Sequence, residues 1–152
     1  YGRGPFENYI DRYSGAFIGR YEDKVENQFY WYIRPQETGN KTDVRWLTLL
    51  DSGGLGVKIT GLQPISFSAL HFSPEDLDPG LTRKLQHTID IVPQKNIFLH
   101  VDLKQRGLGG DNSWGMYPHN EYRLLDKKYT YSYMIELVEK GSDKNDYLNS
   151  RK

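Results

Sequence analysis

The chain has 152 residues, enough for one domain that buries roughly 68–70% of its unfolded surface. Lys plus Arg equal Asp plus Glu at 20 each, so no basic field exists to hold a polyphosphate, and nucleic acid is excluded as the main partner. The lack of Cys removes disulfides, thiolate catalysis and zinc–thiolate sites, and no apolar run approaches the roughly 20 residues needed to span a bilayer, so no membrane partner is expected.

Twelve Tyr, six Phe and three Trp with fifteen Gly favour an all-β domain, a sugar-handling surface, or both. The first residue is Tyr1 and no secretory signal follows, which reads as a piece of something longer. Tyr1 to Arg12 is a Gly/Pro loop with two acids and two arginines. Glu7 and Asp11 have the residue types of an acid/base pair. The stronger expectation is that an acid beside an arginine pins the loop. Ser14 to Tyr21, with Gly15, Ala16 and Gly19, reads as extended structure.

Gln28 to Arg34 predicts a short aromatic strand buried on both faces and ended by Pro35. Thr42 to Leu50 alternates, with Val44, Trp46 and Thr48 on one face and Arg45, Leu47 and Leu49 on the other. Asp51 to Gly54 is a hairpin turn signal, and Leu55 to Thr60 returns as the partner strand. Ile65 to Phe72 alternates again as a separate strand. Ser73 to Leu77 carries the one clear helix signal: a capping Ser73, Pro74 at the first helical position, and two acids in the first turn. Leu85 to Val92 is a weaker strand closed by Pro93.

Ile97 to Leu103 alternates cleanly and projects His100 and Asp102 from one face. That spacing suits a metal. Without a third ligand nearby, an ordinary polar strand face is the better reading. Tyr122 to Leu125 leads into Tyr129 to Val138, where Tyr129, Tyr131, Tyr133, Ile135 and Leu137 share one side. Residues 1–138 are read as a single domain, and 139–152 as a polar tail expected to fray or be disordered. About seven to nine short strands and a stub of helix predict an antiparallel β-sandwich.

Between Gln105 and Arg123 lies a loop in which Gly107, Gly109, Gly110 and Gly115 crowd together around Trp114. No hydrophobic periodicity recruits that indole into a core. It reads either as a contact surface or as a plug closing one end of the sandwich. No Gly-x-Ser-x-Gly elbow, phosphate loop or dinucleotide fingerprint is present, and the four His lie apart in sequence. Taken by its own residues, the chain reads as a binding or supporting module.

Four stretches together resemble the C-terminal domain of the lacZ-type β-galactosidases of glycoside hydrolase family two. They are Gly2 to Arg12, Arg34 to Trp46, Phe67 to Leu77, and Gly107 to Leu124 with its Gly-Gly-Asp-Asn-Ser-Trp signature. Thr38 departs from the family loop, which more often has Asn after Gln-Glu, and so does the aromatic pair Trp31-Tyr32. The resemblance implies the later part of the small-chain (domain five) β-supersandwich, a galactose-mutarotase-like fold, with one short helix near 73–78. It implies no catalytic residue in this piece, because the acid/base and nucleophile glutamates of the family lie upstream in a (β/α)-barrel. Trp114 matches the family's acceptor-subsite aromatic, and Gly109, Gly110, Asp111, Ser113 and Gly115 form the loop supporting it. No metal ligand and no cofactor is implied here, whereas the parent is expected to use Mg and Na or K.

The partners implied are the rest of the chain with its catalytic barrel, a β-galactoside such as lactose, and further copies of the parent. The expected setting is bacterial cytoplasm or periplasm. Two readings from other classes compete: a free-standing carbohydrate-binding β-sandwich, and an assembly domain that touches no sugar.

Overall fold

In the computed structural model, which describes residues 1–78, 80–82, 86–112 and 114–139, period-two sequence becomes an antiparallel sheet. Six strands form among these residues: β1 (Gly2–Gly4), β2 (Phe17–Gly19), β3 (Lys41–Leu50), β4 (Gly56–Leu70), β5 (Phe98–Asp102) and β6 (Tyr133–Val138). β1 and β2 make a small ribbon. β4 is the centre of a four-stranded sheet, with β3 along one edge. β5 and β6 occupy successive lengths of the other, opposite Ser66–Leu70 and Gly56–Gly61. The fold is all-β, as expected, and every strand pair is antiparallel.

The hairpin joining β3 to β4 forms where the turn signal placed it. Asp51 Oδ1 accepts from the N–H groups of Gly53 (2.8 Å) and Leu55 (2.9 Å), and Gly54 takes φ +83°, which suits glycine. The predicted helix is a single turn, α1 (Pro74–Leu77). Ser73 Oγ accepts from Asp76 N–H, and the Asp76 carboxylate accepts from Ser73 N–H, a reciprocal cap.

Three expectations are corrected. The strands Leu55–Thr60 and Ile65–Phe72 are one strand, β4, which continues through Gly61-Leu-Gln-Pro64. Between the pairs Val44↔Ile65 and Trp46↔Thr60 the register slips, so residues 61–64 bulge out and Pro64 needs no ladder partner. A second slip, between Lys41 and Val44, holds Asp43 at φ +52°. Across the slip between Val44 and Trp46, Val44 joins Leu47 in one core cluster with Ile59 and Ile65, although strict alternation had put them on opposite faces.

The second correction is Gln28–Arg34, which is no strand. A 3-10 turn ends at Gln28, Phe29 alone is buried, and Trp31 and Ile33 are exposed. The hydroxyls of Tyr30 and Tyr32 are drawn to Glu7 instead, Tyr30 accepting from its N–H (3.0 Å) and Tyr32 donating to its carboxylate. Phe29 packs on Phe72 at 4.4 Å between ring centroids, in a second cluster with Leu70, Leu77 and Ile91. The third is Leu85–Val92, where Thr88–Asp90 is a 3-10 turn; Leu85 lies outside the described residues. Asp90 accepts from His87 N–H (2.7 Å), a local bond that competes with strand pairing. The tail assigned to 139–152 also lies outside them, apart from Glu139.

The two faces of the four-stranded sheet differ. Residues paired across strands share a face, so Leu47–Ile59–Ile135 and Leu49–Val57–Leu137 form apolar rows, while Thr48–Lys58–Glu136 lies on the other face. Along the first row the exposure climbs from 5% at Leu47 and 3% at Ile59 to 62% at Ile135, and Leu137 reaches 84%. The apolar face is open where it reaches β6.

Candidate functional site

The opening loop folds back on itself. Tyr9 and Arg12 exchange backbone hydrogen bonds (3.1 and 2.8 Å), and Asn8 N–H donates to Asn40 O (2.8 Å), tying the turn to the start of β3. Both carboxylates of this turn hold other loops. Buried Glu7 accepts from Thr38 Oγ1 (3.0 Å), from Gly39 N–H (2.9 Å), from the Tyr32 hydroxyl and, at 3.4 Å, from the Arg12 guanidinium. Thr38, one of the departures from the family pattern, is fully buried in this network. Asp11 faces the other way and accepts from Gly109 N–H at 2.7 Å.

That last bond brings the opening turn to the glycine loop. A Cβ at Gly107 would lie 2.6 Å from Asp11 Oδ2 and 2.8 Å from Tyr122 Cβ, so no larger residue fits between them. Gly115 takes φ +145°, a conformation that side chains reject. Asn112 Oδ1 accepts from the N–H groups of Trp114 (3.1 Å) and Met116 (3.4 Å), which curls the chain beneath the indole. His119 Nε2 lies 2.8 Å from Asp111 Oδ1, and this carboxylate, with Glu121 further off, raises the imidazole pKa.

Trp114 is 83% exposed. Among the described residues it packs in no core cluster. Gly109, Gly110 and Gly115 border an open depression of about 550 Å³ beside it, with Arg106, Met116 and Tyr117 on its walls. Ser113 lies outside the described residues. The structure thus gathers Trp114, Gly109, Gly110, Asp111 and Gly115 into one loop, and adds Asn112 and His119, which the sequence did not mark, and Asp11, which it marked only within the opening loop. An Asn two residues before a loop aromatic is a recognisable turn former. Nothing local ties Asp11 to this loop, since it lies 98 residues away from its partner.

His100 and Asp102 stay on the polar face of β5. His100 lines a cavity of about 310 Å³ with Phe72, Leu77 and Phe98, while Asp102 accepts from Gln105 (3.3 Å). Among the described residues no three His, Asp or Glu side chains converge to hold a metal ion.

Together, fold and site define an all-β unit that lifts one bare indole from a glycine-shaped loop. The family model described as "Beta galactosidase small chain" matches residues 1–135, and the chain belongs to that family. It is 39% identical over 137 residues to a protein named "Beta-galactosidase" from Priestia megaterium, a match that takes in 90% of this chain and 13% of that one. A protein of the same name from Streptococcus thermophilus is 37% identical over 138 residues, with the same two shares. One from Halalkalibacterium halodurans is 35% identical over 125 residues, 82% of this chain and 12% of that. The chain thus spans only 12–13% of the length of these relatives.

Proposed function

We propose that the chain is the C-terminal part of a β-galactosidase that hydrolyses terminal β-D-galactosides such as lactose, and that its direct contribution to the active site is Trp114 in the acceptor subsite. The observation that carries this reading is the exposure of an indole on a loop built to display it. Retaining hydrolysis requires two carboxyls about 5–5.5 Å apart. Glu7 is enclosed by four donors and Asp11 is held under a loop, so neither is poised for that role. In this reading both catalytic glutamates, and any Mg or Na or K, belong to the rest of the parent. The open apolar face ending at Ile135 and Leu137 supports a further layer of the same parent chain packed over it, completing a supersandwich.

The test is Trp114→Leu in the intact parent enzyme. Burying an aromatic of this size contributes about 1.5–3 kcal/mol, and every 1.4 kcal/mol is tenfold in affinity. Glucose affinity and lactose KM should therefore weaken by roughly ten- to a hundredfold. Galactose, bound at the other side of the scissile bond, should be affected far less. Unaltered glucose affinity and lactose kinetics would refute the platform.

A further inference from the structure

We infer that Asp11 is a positioning residue for this platform: its carboxylate holds the Trp114 loop at the height where an acceptor sugar meets the indole. The inference rests on Trp114 serving as the acceptor platform.

The loop has few ties to the rest of the molecule. Asn112 and the Asp111–His119 contact act within it, and Gly107 N–H donates to Tyr122 O (2.7 Å) across its base. Neither kind of bond fixes the loop relative to another part of the fold. Two bonds do: at the first residue of the loop Gln105 Nε2 donates to the Glu37 carboxylate, and at its glycines Gly109 N–H donates to Asp11 Oδ2, where Asp11 sits on the turn that Asn8 and Asn40 lock to β3.

The fit around that bond is close. Gly107 has no room for a Cβ against the carboxylate, and Gly109 would meet it at 3.4 Å. The other carboxylate oxygen, Oδ1, is buried and accepts no hydrogen bond. The loop therefore lies directly on Asp11 Oδ2 through an exposed bond, while Oδ1 is buried. A charge-assisted bond is stronger than one between neutral groups. Loss of the carboxylate would free the base of the loop while leaving every residue of the platform in place.

Asp11→Ala and Asp11→Asn are to be compared with Trp114→Leu in the full-length enzyme, on lactose, on an aryl galactoside, and with glucose as transfer acceptor. The expected result for Asp11→Ala is a rise of about tenfold in lactose KM and in the glucose concentration for half-maximal transfer, about 1.4 kcal/mol. KM for the aryl galactoside should move much less. Asp11→Asn keeps an oxygen for Gly109 N–H and should recover most of the loss. Amide exchange in the 107–112 segment should quicken in Asp11→Ala and be restored in Asp11→Asn. A purely structural role would move both substrates together, and that result would overturn the inference. A response to Trp114→Leu with none to Asp11→Ala would overturn this inference alone. No response to Trp114→Leu would overturn the platform and, with it, the role given to Asp11. Should Asp11→Ala fail to fold, Asp11→Asn and Gly107→Ala decide the matter. The added methyl must displace the carboxylate, so Gly107→Ala should reproduce the lactose-selective loss, and a wild-type lactose KM in it would overturn the inference.

Discussion

Glu7 and Asp11 belong to the same short turn, yet the regions they hold are opposites. Around Glu7 the polar groups are buried and almost fully paired: Asn8, Thr38 and Asn40 are each no more than 1% exposed, and the Asn8 side chain reaches both sides of the turn. Around Asp11 the loop is open, its indole bare, and its internal bonds join exposed groups. The first region is rigid because unpaired buried groups are costly. The second has little to lose by moving, and it is positioned from its base. A polar clamp thus fixes the base from which a glycine-shaped contact surface can be carried.

The comparison breaks most sharply at Asn8. Its side-chain amide donates to Arg3 O (3.3 Å) and Phe6 O (3.0 Å) and accepts from Thr42 N–H (2.9 Å) and the Thr42 hydroxyl. Asn8→Ala leaves these part-buried partners unmet, which should cost about 4 kcal/mol at the low end of 1–3 kcal/mol per stranded group. The expected result is a large fall in urea midpoint at constant m-value. A loss below about 1 kcal/mol would show that water or rearrangement satisfies the clamp.

A second, smaller effect comes from Lys41. Its ammonium donates to Gln28 Oε1 (2.9 Å) and Gly39 O (3.1 Å) in the same buried region. Burial pushes its pKa down to about 8, against the opposing pull of Glu7 and Asp23. The unfolded chain keeps the usual lysine value near 10.4. Between those values it binds more protons than the folded one, so stability rises with pH across the window and is flat below it. The rise amounts to at most about 3 kcal/mol. Lys41→Met should abolish this slope, and unfolding curves from pH 8 to 10 that stay parallel for the two proteins would refute the burial argument.

The same contrast explains what the sequence disclosed. β3, β5, β6 and the capped turn at Ser73 were legible because alternation and capping are local patterns. The phase of β3 was not, since the register slip between Val44 and Trp46 leaves no trace in hydrophobicity. Nor was the fate of Tyr30 and Tyr32, whose hydroxyls answer to the N–H and the carboxylate of Glu7 more than twenty residues away. At the site, glycine density revealed the loop and its aromatic. The anchor at Asp11 stayed hidden because it depends on the folded path of the chain.

The smallest effect belongs to the exposed region and concerns His119. Asp111 raises its pKa above the usual 6.5, with Glu121 Oε1 at 4.0 Å from Nδ1 adding to the pull. A raised value means that the protonated imidazole is favoured by the folded loop. The stabilising link is then fully present below pH 6.5 and is lost as pH rises through the raised value. Because both side chains are largely exposed, salt screens the pair and the effect on global stability is slight. It should be visible locally, as faster amide exchange in residues 111–119 and a change in Trp114 emission on passing from mildly acid to mildly alkaline pH. Those changes should shrink in concentrated NaCl and vanish in His119→Gln, which keeps a hydrogen-bond donor but cannot gain a proton. If His119→Gln kept the full pH response, the titrating group would lie elsewhere, and the loop would be governed from its base at Asp11 alone.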